Sequence, residues 1–131
     1  MARSQTIRTE TDCILALSKL RADALEFGFG SNDATRLVTA ASELVRNILK
    51  YAGAGNIRYS KLADGTKLGV EFVAHDKGPG IADVALAMAD NFSSSGTLGL
   101  GLPGVKRLVD EFDLNSEVGV GTTVAFKVWM S

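Results

Sequence analysis

Three glycines fall within six positions of one short stretch, LGLGLPGVKRL (98–108), at Gly99, Gly101 and Gly104. Glycines before a helix start allow a bound group to approach the backbone, whose N–H groups can then contact phosphates. A dinucleotide-binding fold would need the pattern to follow a buried parallel strand, whereas here it follows SSSGT (93–97). A Walker loop would need a Gly-Lys-Ser/Thr continuation, which does not follow. The stretch therefore predicts phosphate-binding backbone outside both of those folds.

Composition limits the domain organisation and the partners. The chain has 131 residues, 46% of them hydrophobic, which suits one core, so we expect residues 1–131 to form a single domain. Lysines and arginines number 14 against 15 aspartates and glutamates, and the net charge of -1 provides no bulk field for nucleic acid or an anionic membrane. We therefore expect no nucleic-acid and no membrane partner, and any bound anion must be held locally.

Cysteine and histidine usage predicts a reducing compartment. The single cysteine, Cys13, excludes an internal disulfide, and with His75 as the one histidine no Cys/His zinc cluster can form. The apolar residues near the start are interrupted by Ser18 and Lys19, so they are too short for a signal peptide or a membrane span. A cytoplasmic protein is expected.

Hydrophobic periodicity predicts helices in the first part of the chain and strands after them. A short strand over 5–11 precedes Asp12, the predicted N-cap of a helix over 14–27, and a second helix follows over 32–51. Their predicted inner positions recur at three- and four-residue steps: Ile14, Leu17, Leu20, Ala24 and Phe27 in the first helix, and Leu37, Ala40, Ala41, Leu44, Ile48 and Tyr51 in the second. Alternation over 56–62 and 67–76, joined by Asp64-Gly65, predicts a β-hairpin.

The remaining segments complete the predicted architecture. They are a short helix over 83–91, a mobile loop over 92–101, a helix over 102–112 and a closing hairpin of strands 114–118 and 122–130. The fold class is α+β: a two-layer sandwich of one mixed or antiparallel sheet with helices on a single face.

Glu43 and Asn47 form the first cluster of candidate site residues. They stand four residues apart on a predicted helix, so both project from the same side. An asparagine offers a neutral oxygen to Mg²⁺, and a glutamate can accept a proton. A solvated polar face is the alternative interpretation.

Asp76, Gly78 and Gly80 form the second cluster, in DKGPGI (76–81) at the end of a predicted strand. The aspartate could accept a hydrogen bond from an exocyclic amine such as that of adenine, and the glycines would leave room for a flat ring. An ordinary turn, with Pro79 fixing φ, is the alternative.

Taken together, the motifs are more specific than any one of them. E-x-x-x-N, D-x-G-x-G, G-x-G-x-x-G and a final G-x-G-T (Gly119, Gly121, Thr122) occur in one order over about 31–128. This order resembles the Bergerat-fold (GHKL) ATPases, the superfamily of gyrase, Hsp90, histidine kinases and MutL. The resemblance implies a Bergerat fold with ATP and Mg²⁺ as cofactors.

The resemblance also implies a role for each candidate residue. Glu43 would be the base that draws the proton from the acceptor hydroxyl, and Asn47 would hold Mg²⁺. Asp76 would accept from the adenine amino group with help from Thr122. The glycines would line the site, Gly78 and Gly80 at the adenine and Gly99, Gly101 and Gly104 at the phosphates, with residues 93–97 as the mobile part of a lid. Because phosphoryl transfer needs charge offset at the transferring group, Arg46 or Lys50 is a candidate cation, and a surface charge or a docking contact is the alternative interpretation of each.

Three stretches, ASELVRNILKYAG, DKGPGI and GLGLPGVKRLVDEFDLNS, resemble the small bacterial serine/threonine switch kinases of the RsbT type. That family implies phosphorylation of a STAS-domain protein, which is a stressosome scaffold or an anti-sigma-factor antagonist, and partner switching that releases the kinase to a PP2C-type phosphatase. One alternative is an anti-sigma factor of the RsbW/SpoIIAB type that sequesters a sigma factor. Another is a nucleotide-sensing module that transfers nothing.

Overall fold

The computed structural model describes residues 2–81, 88 and 101–131 of the chain. Within these residues the elements in chain order are β1 (Ala2–Ile7), α1 (Glu10–Glu26), α2 (Ser31–Asn47), a π-helical turn (Ile48–Ala52, the π-turn), β2 (Gly55–Asp64), β3 (Lys67–Asp76), α3 (Leu102–Leu108), β4 (Glu111–Glu117) and β5 (Gly121–Trp129). The predicted helix over 83–91 lies outside the described residues apart from Met88, and so do Gly99 and the predicted lid over 93–97.

The five described strands form one sheet in the order β1-β2-β3-β5-β4, and every neighbouring pair is antiparallel. The mixed sheet that was one of our two expectations is therefore wrong for the described strands. Short turns join β2 to β3 and β4 to β5, and strands joined in this way must run antiparallel. The predicted turn at Asp64-Gly65 is confirmed, with Gly65 at φ +62°.

One face of the sheet is covered by the helices, as predicted. Phe72 of β3 lies at its centre, with its ring stacked between those of Tyr59 and Phe126 at centroid distances of 6.3 and 5.3 Å. Core residues of α1 and α2, among them Leu20 and Leu44, are buried in the same cluster. The other face carries exposed polar side chains from alternate strand positions. Stacked aromatic rings and the helices above them thus form the core.

Helix α1 begins earlier than predicted. Its N-cap is Thr9, whose hydroxyl accepts the Asp12 N–H at 3.1 Å while the Asp12 carboxylate accepts the Thr9 N–H at 3.2 Å. This capping box replaces the predicted N-cap at Asp12, and β1 ends at Ile7 rather than at residue 11. The buried apolar positions are therefore Cys13, Ala16, Leu20 and Ala24, and Ile14 is wrong as an inner residue because it is 65% exposed.

Helix α2 buries Leu37, Ala40, Ala41, Leu44 and Ile48, as predicted. The predicted helix over 32–51, however, changes to π-helical geometry at Ile48, where the Gly53 N–H donates to the Ile48 carbonyl at 2.8 Å. The wider turn directs Tyr51 away from the inner side, where we expected it.

Helix α3 is shorter than the predicted helix over 102–112. Val109 has extended backbone, and the Asp110 N–H then donates to the Lys127 carbonyl of β5 at 2.9 Å. The chain thus joins the sheet at once, and Phe112 belongs to β4. The closing hairpin of β4 and β5 is confirmed, with β4 starting at Glu111 instead of residue 114.

Candidate functional site

Glu43 lies on α2 beside the residue that precedes α3. Gly101 is the N-cap of α3 and has left-handed backbone with φ +66°. A Cβ built on Gly101 would stand 3.1 Å from Glu43 Cδ and would collide with Oε2. Asn47 is one helical turn further along the same side of α2, where both side chains are half-buried. The structure therefore brings Glu43 and the start of α3 together, and Asn47 lies one turn of α2 away from that contact.

Asp76 ends β3 and faces β5. Its Oδ1 accepts the Gly78 N–H at 2.8 Å, which closes a local turn. In the register of the two strands Asp76 stands opposite Thr122, so the two side chains that the sequence paired at a distance of 46 positions are cross-strand neighbours. This is the end of the sheet that the candidate adenine contacts occupy.

Residues 77–81, the loop after Asp76, are held on two sides. A Cβ on Gly78 would be 2.7 Å from the Cβ of Ala52 in the π-turn. Gly80 has φ +78° and lies against the carbonyl oxygen of Glu117, and the Gly119 N–H donates to the Pro79 carbonyl at 2.9 Å. Because the π-turn follows directly on Asn47, this packing places the loop after Asp76 next to the end of α2.

Ser116 of β4, to which the sequence alone does not point, ties the far end of this loop to the sheet. Its Oγ accepts the Ile81 N–H at 2.7 Å, lies 2.8 Å from Thr122 Oγ1 and donates to the Gly121 carbonyl at 3.2 Å. A serine at an alternating strand position has no sequence signal of its own. Only the pairing of Ser116 with Thr122 across the hairpin could have pointed to it.

Two further glycines allow close approach to the end of β3. A Cβ on Gly121, which has φ +146°, would collide with the Asp76 carbonyl oxygen. A Cβ on Gly55 would be 2.6 Å from the His75 carbonyl oxygen and 2.9 Å from Ile48 Cγ2. The sequence indicates Gly121 only as part of a motif and does not indicate a role for Gly55 at the site.

Gly104 differs from these glycines. It lies within α3, one turn after Gly101, and a Cβ there would meet no atom of the described chain within 4 Å. Packing within the described residues therefore does not require a glycine at position 104. Gly99, the first of the three predicted phosphate-binding glycines, lies outside the described residues.

The candidate cations stand on the exposed side of the same region. Arg46 and Lys50 are both exposed, and Lys50 Nζ lies 5.2 Å from the centroid of the Tyr51 ring. Across residues 2–81, 88 and 101–131, no group of three or more His, Cys, Asp or Glu side chains is arranged to hold a metal ion. No helix in the same part of the chain is long and apolar enough to cross a membrane.

Comparison with known proteins identifies the family and the fold. Residues 32–131 match the family described as histidine kinase-, DNA gyrase B-, and HSP90-like ATPase. Among solved structures, the RsbU and RsbW domains of a Mycobacterium tuberculosis protein superpose with a TM-score of 0.60 at 18% identity, over 96% of this chain and 32% of that one. The catalytic domain of histidine kinase ThkA superposes with a TM-score of 0.51 at 16% identity, over 96% of this chain and 95% of that one. At these identities the structures show a shared fold.

The chain belongs to this family of ATPase domains, as the order of its motifs predicted, and the family implies an ATP site. More narrowly, it is a homologue of serine/threonine-protein kinase RsbT of Bacillus subtilis (strain 168). The two sequences are 51% identical over 124 residues, which are 95% of this chain and 93% of the relative. The predicted resemblance to the RsbT type is thereby confirmed.

Proposed function

We propose that the protein is an ATP-dependent protein serine/threonine kinase. The observation that carries the proposal is the contact of Gly101 with Glu43, which sets a carboxylate at the start of the glycine-rich helix and one turn from Asn47. In a fold that implies ATP binding, this contact supports a role for Glu43 as the proton acceptor beside the segment that resembles a phosphate-binding loop. Homology to a serine/threonine kinase supports the same assignment.

The residues present fit a nucleotide. Asp76 stands at the end of β3 opposite Thr122, and one or both would accept from an exocyclic adenine amine. Gly78 and Gly80 keep side chains out of the adenine end, and Gly101 and Gly104 keep them off the start of α3. Among the described residues the space beside Gly104 is open, so the packing of the chain itself would allow a Cβ at this position. We propose that Gly99 extends the same phosphate contacts.

Asn47 fits a single protein ligand for Mg²⁺. This ion keeps several waters and takes one or two protein oxygens together with phosphate oxygens. When bound, it would offset negative charge on the transferring group. Arg46 and Lys50 lie within three positions of Asn47 and are exposed, so their positive charges would offset further negative charge at the phosphates. We assign neither of them a specific contact.

Glu43 is the side chain of the protein that takes part directly in the chemical step. Its carboxylate accepts the proton of a serine or threonine hydroxyl as the hydroxyl oxygen forms a bond to the γ-phosphorus and the bond to ADP breaks. The products are phosphoserine or phosphothreonine and ADP, and the proton passes from Glu43 to solvent. Positioning and charge stabilisation supply the rest of the rate, as is general for phosphoryl transfer.

The homology to RsbT supports a STAS-domain protein of a stressosome as the substrate and a PP2C-type phosphatase as the partner after phosphorylation. We propose that these reactions take place in the cytoplasm. The test is incubation of the purified protein with Mg²⁺, ATP labelled at the γ-phosphate and a cognate STAS-domain protein. Label on a serine or threonine of that protein supports the proposal. Capture of a sigma factor without label would favour the anti-sigma factor, and nucleotide binding without transfer would favour a sensing module.

A further inference from the structure

The Arg36 guanidinium ties helix α2 to the far end of α3. Its Nη1 donates to the Leu108 carbonyl, the last residue of α3, at 2.6 Å. Its Nη2 donates to the Trp129 carbonyl at 3.4 Å and lies 3.5 Å from the Asp110 carboxylate. One side chain thus contacts the end of α3, the segment that leads from α3 to β4, and the last residue of β5.

The guanidinium is itself held in place by Asp33. Arg36 Nε and Nη2 donate to Asp33 Oδ1 at 3.3 and 3.1 Å, and the backbone N–H and the hydroxyl of Ser131 donate to Asp33 Oδ2. The hydrogen bonds from Ser131, and to a smaller extent those from Arg36, hold the pKa of the buried Asp33 carboxyl below its usual value. The carboxylate therefore stays charged and fixes the planar fork of Arg36.

Arg36 and Glu43 lie on the same side of α2, because a separation of seven residues is close to two full turns. Arg36 contacts the last residue of α3, and Glu43 lies against Gly101 immediately before its first residue. The two helices are therefore antiparallel neighbours whose register is set at both ends. At the last residue of α3 the register is set by the hydrogen bond from Arg36. At its start the register is set by the contact with Glu43, which we place at the reaction centre.

We infer that Arg36 is a positioning residue for phosphoryl transfer: it holds α3 in the register that keeps Gly101 against the Glu43 carboxylate. The inference rests on the proposed kinase function. Arg36 contacts backbone carbonyls and aspartates, and its effect on the reaction passes through α3 and Glu43. It does not reach Asp76, so adenine binding should not depend on it.

The experiment compares four proteins in the labelled-transfer assay: wild type, Arg36→Gln, Arg36→Lys and the control Arg21→Gln. Arg21 also contacts α2, through a 3.4 Å hydrogen bond to Thr35, but it lies on α1, and within the described residues its side chain has no hydrogen bond or ion pair to α3. We expect kcat of Arg36→Gln to fall by roughly tenfold to a hundredfold, as misplacement of a reacting group does. ADP affinity should stay within about twofold of wild type. Arg36→Lys should be intermediate, because one ammonium cannot span the same acceptors, and Arg21→Gln should match wild type.

A double-mutant cycle with Glu43→Gln separates positioning from simple destabilisation. If Arg36 acts through Glu43, Arg36→Gln should lower the residual transfer of Glu43→Gln much less than it lowers that of wild type. Equal losses in both backgrounds, or undiminished kcat in Arg36→Gln, would overturn the inference while an active wild type keeps the proposed function intact. A wild type that binds nucleotide and transfers nothing would overturn the proposed function and this inference together.

Discussion

Gly101 lies directly against the carboxylate of Glu43, so the start of α3 meets the last turns of α2 through the Glu43 side chain. The left-handed backbone of Gly101 also favours glycine, because a residue with a Cβ adopts it at a cost of roughly 1–2 kcal/mol. The contact defines the part of the site at which we place the chemistry.

Glu43→Gln should slow transfer strongly, to a residual rate that can still be measured, and should spare nucleotide binding. The amide keeps the size of the side chain beside Gly101 but cannot accept the hydroxyl proton, so we expect a loss of about 10² to 10⁴ in kcat. The rate of label transfer measures the first effect, and the ADP affinity from calorimetry measures nucleotide binding. Glu26→Gln, which changes an exposed glutamate at the end of α1, is the matched control. Full transfer by Glu43→Gln would remove Glu43 from the mechanism.

Gly104→Ala should separate stability from function. Among the described residues the new methyl group meets no packing neighbour within 4 Å, and alanine favours helical backbone more than glycine does, so the free energy of unfolding should rise by about 0.5–1 kcal/mol. If the backbone here faces the phosphates, ATP affinity should fall more than ADP affinity. Thermal unfolding and calorimetry on one preparation measure both effects. An unchanged preference for ATP over ADP would exclude Gly104 from phosphate contact.

Gly101→Ala is the counterpart of that variant. Its left-handed backbone and its contact with Glu43 both resist a side chain, so this alanine should lower the unfolding temperature, and kcat should fall as well. Gly101→Ala and Gly104→Ala should therefore shift stability in opposite directions. A stability change in the same direction for both variants would contradict the geometry described for the start of α3.

Ser116→Ala should loosen the loop after Asp76. The change leaves the Ile81 N–H without its serine acceptor, and loss of a hydrogen bond of this kind costs about 1–3 kcal/mol when the group stays buried. ADP affinity should fall with it, because the same oxygen contacts Thr122. Asn115→Ala, at the neighbouring exposed position, serves as the control. Equal ADP affinities for the two variants would mean that Ser116 does not support the adenine end.

Tyr59→Phe should destabilise the fold in a pH-dependent way. The Tyr59 hydroxyl donates to Asp23 Oδ2 at 2.6 Å, and Arg3 Nε donates to the same oxygen at 2.8 Å. Burial raises the pKa of the Asp23 carboxyl, but these hydrogen bonds outweigh it, so that pKa lies below its usual value. A lowered carboxyl pKa stabilises the fold above the unfolded-state value of about 3.9, and this stabilisation is lost as pH falls through the folded-state value.

The difference between wild type and Tyr59→Phe should therefore be about 1–3 kcal/mol at neutral pH and should shrink in acid. Urea unfolding at a series of pH values measures it. In an Asp23→Asn background the same substitution should show no such acid dependence. A difference that stays constant to low pH would show that the tyrosine does not act through the ionised aspartate.

The sequence alone was enough to predict those parts of the structure that depend on residues close together in the chain. Asp64-Gly65 predicted the β2–β3 hairpin because a tight turn fixes strand direction and register locally. The inner side of α2 followed from its period for the same reason. The order of four motifs predicted the family, because it combines several weak patterns in one arrangement.

Features set by distant contacts were not predictable in this way. The π-turn after Asn47 packs Ile48 on Gly55 and Ala52 on Gly78, and nothing in ILKYA itself signals the wider turn. Ser116 gained its place only from the pairing of β4 with β5. The placement of β5 between β3 and β4 likewise depends on long-range pairing that local propensity does not encode.

Calorimetric titration of ATP with Mg²⁺ into wild type and Asp76→Asn is the most direct measurement of the central claim, that a nucleotide binds between the end of β3 and the helix that carries Asn47. Asp76→Asn keeps the size of the side chain but places an amide where a carboxylate would accept the adenine amine. We expect saturable binding by wild type and a loss of at least about tenfold in affinity in the variant, since a hydrogen bond to a charged group is worth roughly 1.5–3 kcal/mol. No binding by folded wild type, or equal affinities for both proteins, would contradict the account.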